Sequence, residues 1–181
     1  MSNLSTATGT WVIAPTHTNL GFSARHAMVA KVRGTFAEFA GSFTIDGDNL
    51  AASSAEVTIQ VAGIDTKTAD RDAHLKSPDF LDAETFPTIT FVSTAVAAKG
   101  DDVVITGDLT IHGVTKSVDV AYEFIGISQD PWGQTKIGFE GSTKISRKEF
   151  GLTWNAALET GGVLVGDEIK LNLDVEATKQ A

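Results

Sequence analysis

The chain has 181 residues, 42% of them apolar, with 17 Gly, 4 Pro and no Cys. That length suits one domain with a sizeable core, and the missing Cys excludes disulfides, thiolate metal sites, iron–sulfur clusters and Cys nucleophiles. Fourteen Lys and Arg against 23 Asp and Glu leave a net charge of −9, a poor balance for binding nucleic acid or docking on an anionic membrane surface.

The chain opens with small polar residues, so 1–9 read as a flexible lead-in to a single domain over 1–181, with no secretory signal. A cytoplasmic protein is expected. No apolar stretch approaches the ~18 residues of a membrane span, so stable membrane insertion is not expected. From Trp11 onward the dominant signal is period-two alternation, the mark of strands with one buried face. Weak strands are expected at Trp11–Ile13, Leu20–His26 and Phe39–Ile45. A clear one follows, with Ala55, Val57, Ile59 and Val61 alternating with Glu56, Thr58 and Gln60.

Residues 65–86 break the alternation. Thr68 to Lys76 can make two helical turns, and Ser77-Pro78-Asp79 reads as an N-cap with Pro at the first helical position. Strands resume at Ile89–Val96. Val103 to Ile111 and Val118 to Phe124 then form a hairpin about His112-Gly113. Ile137–Ile145 and a strongly alternating strand from Ile169 to Ala177 complete the chain. Half-apolar strands in this number close into a barrel or stack as a sandwich, and a barrel removes open edges.

Chemistry is sparse. There is no Gly-x-Ser-x-Gly elbow and no glycine loop opening a helix, so no catalytic residue and no cofactor are expected. His17 and His26 are nine apart, which sets them on opposite faces of a regular strand, and nothing in the spacing of the four His asks for a metal. Arg147 shares its parity with Phe139 and Ile145. Either the strand ends before it, or a guanidinium turns inward as half of a buried ion pair or as a ligand's polar anchor. Aromatic residues lie on nearly every strand, as ordinary core or as the wall of an apolar cavity.

Several motifs in one order then become recognisable. They are Trp11-Val12-Ile13 with Pro15 and His17; Arg71-Asp72-Ala73-His74-Leu75; Pro78-Asp79-Phe80-Leu81-Asp82; Phe86-Pro87-Thr88; Gly107 to Lys116; and Ile145 to Leu152. The chain resembles the YceI-like family of lipocalin-like polyisoprenoid-binding proteins from about Trp11 to Ala177. Ala14 and Thr18 depart from the family's acidic residue and Ser. The resemblance implies an all-β fold, an extended eight-stranded antiparallel lipocalin-like barrel with a short helical segment at about 65–86. It implies a long isoprenoid lipid as partner, a quinone tail or polyprenyl chain, bound or carried without catalysis. Phe22, Phe36, Phe43, Phe91, Phe139 and Phe150 are the expected wall, with Arg147 as the inward polar contact. The rival reading is an enzyme or metal-binding barrel in which His17, His26 and His112 meet at one rim and act on a quinone-like head group. Monomer and homodimer both stay open.

Overall fold

A computed structural model describes residues 3–181. Eleven strands share one antiparallel sheet: β1 (Gly9–Ile13), β2 (Asn19–His26), β3 (Ala30–Phe36), β4 (Phe39–Ile45), β5 (Ser54–Gln60), β6 (Ile64–Asp65), β7 (Thr88–Lys99), β8 (Asp102–Ile111), β9 (Val114–Gln129), β10 (Thr135–Ser146) and β11 (Val165–Lys179). One short helix, α1 (Ala69–Lys76), interrupts them. The ring runs β1-β4-β5-β7-β8-β9-β10-β11 and closes where β1 pairs with β11, an eight-stranded barrel.

The other three strands lengthen it. β2 continues β1 along β11, β3 pairs with β2, and β6 pairs with β3. Thr18 bridges the break between β1 and β2. Its hydroxyl donates to the Glu176 carbonyl and accepts from the Glu176 N–H, both at 3.1 Å. The family's Ser has the same hydroxyl, so this departure leaves the pairing intact.

At the extended end β6 makes no ladder with β7. The helix and the turns after it occupy that gap, and Leu81 joins the buried cluster of Ile64, Ile89 and Phe150. Arg71 and Asp72 fasten α1 there. Arg71 donates to the Thr66 hydroxyl and carbonyl, both at 2.8 Å, while Asp72 accepts from the Thr66 N–H at 2.8 Å. Ser77, expected to start a helix, instead ends one: its N–H bonds the His74 carbonyl, and Pro78 leads into turns.

β3 and β6 are the strands that the alternation does not reveal. In β3 the inward position opposite Phe22 is Gly34, which carries no apolar side chain to register. The N-terminal stretch also differs from its reading as a flexible lead-in. Asn3–Ala7 is a 3₁₀ turn whose Leu4 and Ala7 are buried with Trp11 and Ile45, and the Trp11 indole donates to the Ala7 carbonyl at 2.9 Å. Met1 and Ser2 lie outside the described residues.

Candidate ligand-binding cavity

Alternation along each strand sends one set of side chains inward, and these do not fill the barrel. Among the described residues two apolar cavities stand out. An inner one of about 100 Å³ lies toward the β1–β4 end, and none of its lining residues is exposed. An outer one of about 270 Å³ lies under α1, and of its lining residues only Arg25 and His26 are exposed. The mouth is therefore at the β2–β3 hairpin. Both linings are almost wholly apolar.

Glycines set where the rings go. A Cβ at Gly34 would collide with the Phe22 ring, one at Gly107 with the Phe91 ring, and one at Gly141 with the Tyr122 ring. Each missing side chain gives an aromatic ring room to lie over the sheet rather than fill the lumen.

Of the wall residues expected from the sequence, Phe43, Phe91 and Phe139 border the inner cavity. Phe22, Phe36, Phe150 and Arg147 border the outer one. Phe43 and Phe139 meet edge to face at 5.9 Å, and Phe22 and Phe36 lie 5.5 Å apart. Phe91 packs with the apolar cluster of the outer end while bordering the inner space, so its ring stands between the two.

Arg147 is 3% exposed and begins a 3₁₀ turn just after β10 ends at Ser146. Neither an ion pair nor a free donor describes it. Its Nε donates to the Gly166 carbonyl at 2.9 Å, Nη1 to Leu152 at 2.7 Å and Trp154 at 2.9 Å, and Nη2 to Val165 at 3.2 Å. Four of a guanidinium's five donors thus tie the 152–166 loop to the barrel. Burial pushes its pKa down, and nearby Asp167 partly opposes this. Asp167 is itself engaged by the Ser146 hydroxyl at 2.6 Å and the Lys148 N–H at 3.0 Å, which hold its carboxyl below the usual range.

Other lining residues were not among the wall expected from the sequence, although Arg71, His74 and Leu75 stand in one of its recognisable motifs. Arg71, His74 and Leu75 of α1 border the outer cavity. Their i, i+3, i+4 spacing, a shared helix face, is the signal that could have found them. The His74 ring meets Trp154 at 4.7 Å and Phe80 at 5.0 Å, and its Nε2 bonds Asp79 at 2.9 Å. Tyr122 borders the inner cavity. Burial pushes its pKa up to about 12.

The three-His rim does not form. His17 is exposed in the turn between β1 and β2, and His26 is at the cavity mouth. His112 donates from Nδ1 to the Phe150 carbonyl at 3.3 Å, its ring against Phe86. Among the described residues no three His, Asp or Glu side chains converge as a metal site.

Comparison with known proteins agrees with this architecture. A family model described as "YceI-like domain" matches residues 11–177. Protein YceI of Escherichia coli is 42% identical over 164 residues, covering 91% of this chain and 83% of that protein. The crystal structure of BcnA from Burkholderia cenocepacia superposes with a TM-score of 0.79 at 27% identity, over 92% of this chain and 99% of that one. A polyisoprenoid-binding domain from Saccharophagus degradans has the same fold, with a TM-score of 0.71 at 13% identity over 94% and 98% of the chains.

Proposed function

Because the chain belongs to the YceI-like domain family, we propose that its barrel binds and carries an isoprenoid lipid, without catalysis. The observation that carries this reading is the pair of tandem apolar cavities with its only exposed lining residues at one end. A polar head group stays at the mouth near Arg25 and His26. The tail runs past Phe22, Phe36 and Phe150 toward Phe91, and its far end reaches Phe43 and Phe139. A quinone tail or a polyprenyl chain both suit this lining. The polyisoprenoid-binding domain of Saccharophagus degradans, which shares the fold, is consistent with such a ligand.

The energetics need no catalytic group. Burying each CH₂ contributes ~0.8 kcal/mol, so a tail of ~20 carbons gains roughly 16 kcal/mol before ordering and association costs. Native mass spectrometry of purified protein, followed by organic extraction, tests the reading. A discrete apolar species near one per chain is the expected result. Protein that stays at its bare mass after incubation with quinones and polyprenols overturns it. Phe139→Asp should abolish retention while leaving the circular-dichroism spectrum folded, because a carboxylate would then face the inner cavity.

A further inference from the structure

At the mouth of the outer cavity, positive charge gathers beside the exposed apolar residues Met28, Val29 and Val163. The first 37 residues hold no Asp or Glu, so every carboxylate behind the net charge of −9 lies further along. Between Arg25 and Arg33 stand three cations and no anion. Strand pairing puts them on the outer face, because Phe22, Ala24, Val32 and Gly34 alternate inward: Arg25 lies opposite Lys31, and Arg33 opposite Ser23. On the next strand Lys170 pairs with Ser23, and beyond it Lys144 pairs with Lys170. Of the acidic groups beside them, Glu168 faces Lys144 at 3.4 Å, Asp167 is bonded to Ser146 and Lys148, and Glu159 stands exposed in the neighbouring 158–162 turn as the one carboxylate the cations must outweigh.

The tip of this hairpin, residues 27–29, is apolar. Val29 is 83% exposed and Met28 62%. Ala27 and Met28 both have left-handed backbone, φ 49° and 66°, where Asn-Gly would be unstrained. Met28 leans across the Gly161-Gly162 turn, its sulfur occupying the place a Gly162 Cβ would take, and exposed Val163 follows. The Ala27 N–H bonds the Leu164 carbonyl at 2.8 Å, which holds the tip beside that turn and leaves Met28 and Val29 in water, a poor solvent for them.

We propose that this hairpin, with the turn beside it, docks on an anionic lipid bilayer. Met28, Val29 and Val163 enter the headgroup–acyl boundary, and Arg25, Lys31, Arg33 and Lys170 meet the headgroups. The acidic remainder of the barrel is repelled, which orients the cavity mouth toward the membrane. Overall net charge, which argues against such docking, averages this asymmetry away. The proposal rests on the lipid-carrier reading for its purpose: a tail can then pass between bilayer and cavity without crossing water.

Flotation of the full chain with vesicles of phosphatidylcholine, alone or with about one-third phosphatidylglycerol, tests it. Binding is expected only with the anionic lipid and should weaken as salt screens it. The pair Met28→Asp and Val29→Asp, and separately the pair Arg25→Glu and Lys31→Glu, should each cost at least tenfold in vesicle affinity with an unchanged melting temperature. Trp132→Asp, an 85% exposed residue at the opposite end of the barrel, should cost nothing. No binding to anionic vesicles, or loss only with Trp132→Asp, overturns the proposal. So does a tip variant that changes oligomeric state while the parent ignores vesicles, which would make the tip a contact between two copies. Lipid retained without vesicle binding removes the docking surface alone. Vesicle binding through the tip by a protein that holds no isoprenoid removes the carrier reading alone.

Discussion

Tyr122 and Arg147 show how much a single position depends on what surrounds it. Tyr122 is the chain's one tyrosine, so its phenolate absorbance reports the inner cavity without interference. Facing that apolar lining, it should stay neutral in the folded protein until about pH 12 and ionise earlier only as the barrel opens. Its raised pKa means that the folded state holds the proton more tightly. Stability is therefore intact below the ordinary value near 10 and falls by roughly 2 to 3 kcal/mol as pH climbs to the folded value. Tyr122→Phe should remove that loss, as urea unfolding at pH 8 and at pH 11 would reveal; a midpoint near pH 10 in the wild type would mean a wet cavity. Arg147→Lys keeps a cation but cannot reach four carbonyls at once. It should cost about 3 kcal/mol and open the 152–166 loop to protease. A variant that melts normally yet loses its lipid would instead make Arg147 a ligand anchor.

Pairing decides which apolar face is the inside. Phe22 opposite Gly34 in the β2–β3 ladder illustrates it, since the ring occupies the space that any Cβ on its partner would need. Gly34→Ala should therefore destabilise by about 1 to 3 kcal/mol through overpacking. Trimming the ring with Phe22→Leu should recover most of that loss in the double variant, and a double-mutant cycle on urea midpoints would measure the coupling. Additive losses would show that the ring and the glycine do not compete for one space. The same pair explains why β3 escapes a reading by alternation: an inward glycine is silent in a hydrophobicity pattern. The helix is the opposite case. Its period break was legible, but its end was not, because Ser77 carries a hydroxyl equally able to begin a helix or to close one.

At the scale of the whole barrel, the two cavities lie in line, with the mouth at one end and Phe91 between them. Capacity should therefore limit chain length. Filling the inner cavity with Ala55→Phe should leave short isoprenoid tails bound and exclude long ones by tenfold or more, with little change in melting temperature. Competition among tails of increasing length would measure this. An equal loss for every length would mean that the inner space holds no part of the ligand. The charge distribution belongs to this scale too, because the barrel gathers Arg25, Lys31, Arg33 and Lys170 at the mouth although the last is far along the chain.

Period two, the Gly and Pro punctuation and the break at 65–86 were enough to determine an antiparallel β fold, barrel or sandwich, interrupted by one helical connection, and the family resemblance chose the barrel. They were enough because burial of one face per strand is written locally, residue by residue. Parity likewise placed Phe43, Phe91 and Phe139 on apolar faces. Only the closed structure decided that those faces enclose two cavities, since empty space depends on how eight strands pair and where Gly34, Gly107 and Gly141 let rings lie flat. It also decided that Arg147 serves four carbonyls of a distant loop, that His17, His26 and His112 stay apart, and that the mouth opens between cations. Each of these is a relation between residues remote in sequence, and the energy of such relations is set by contact and solvent exclusion, which no local pattern carries.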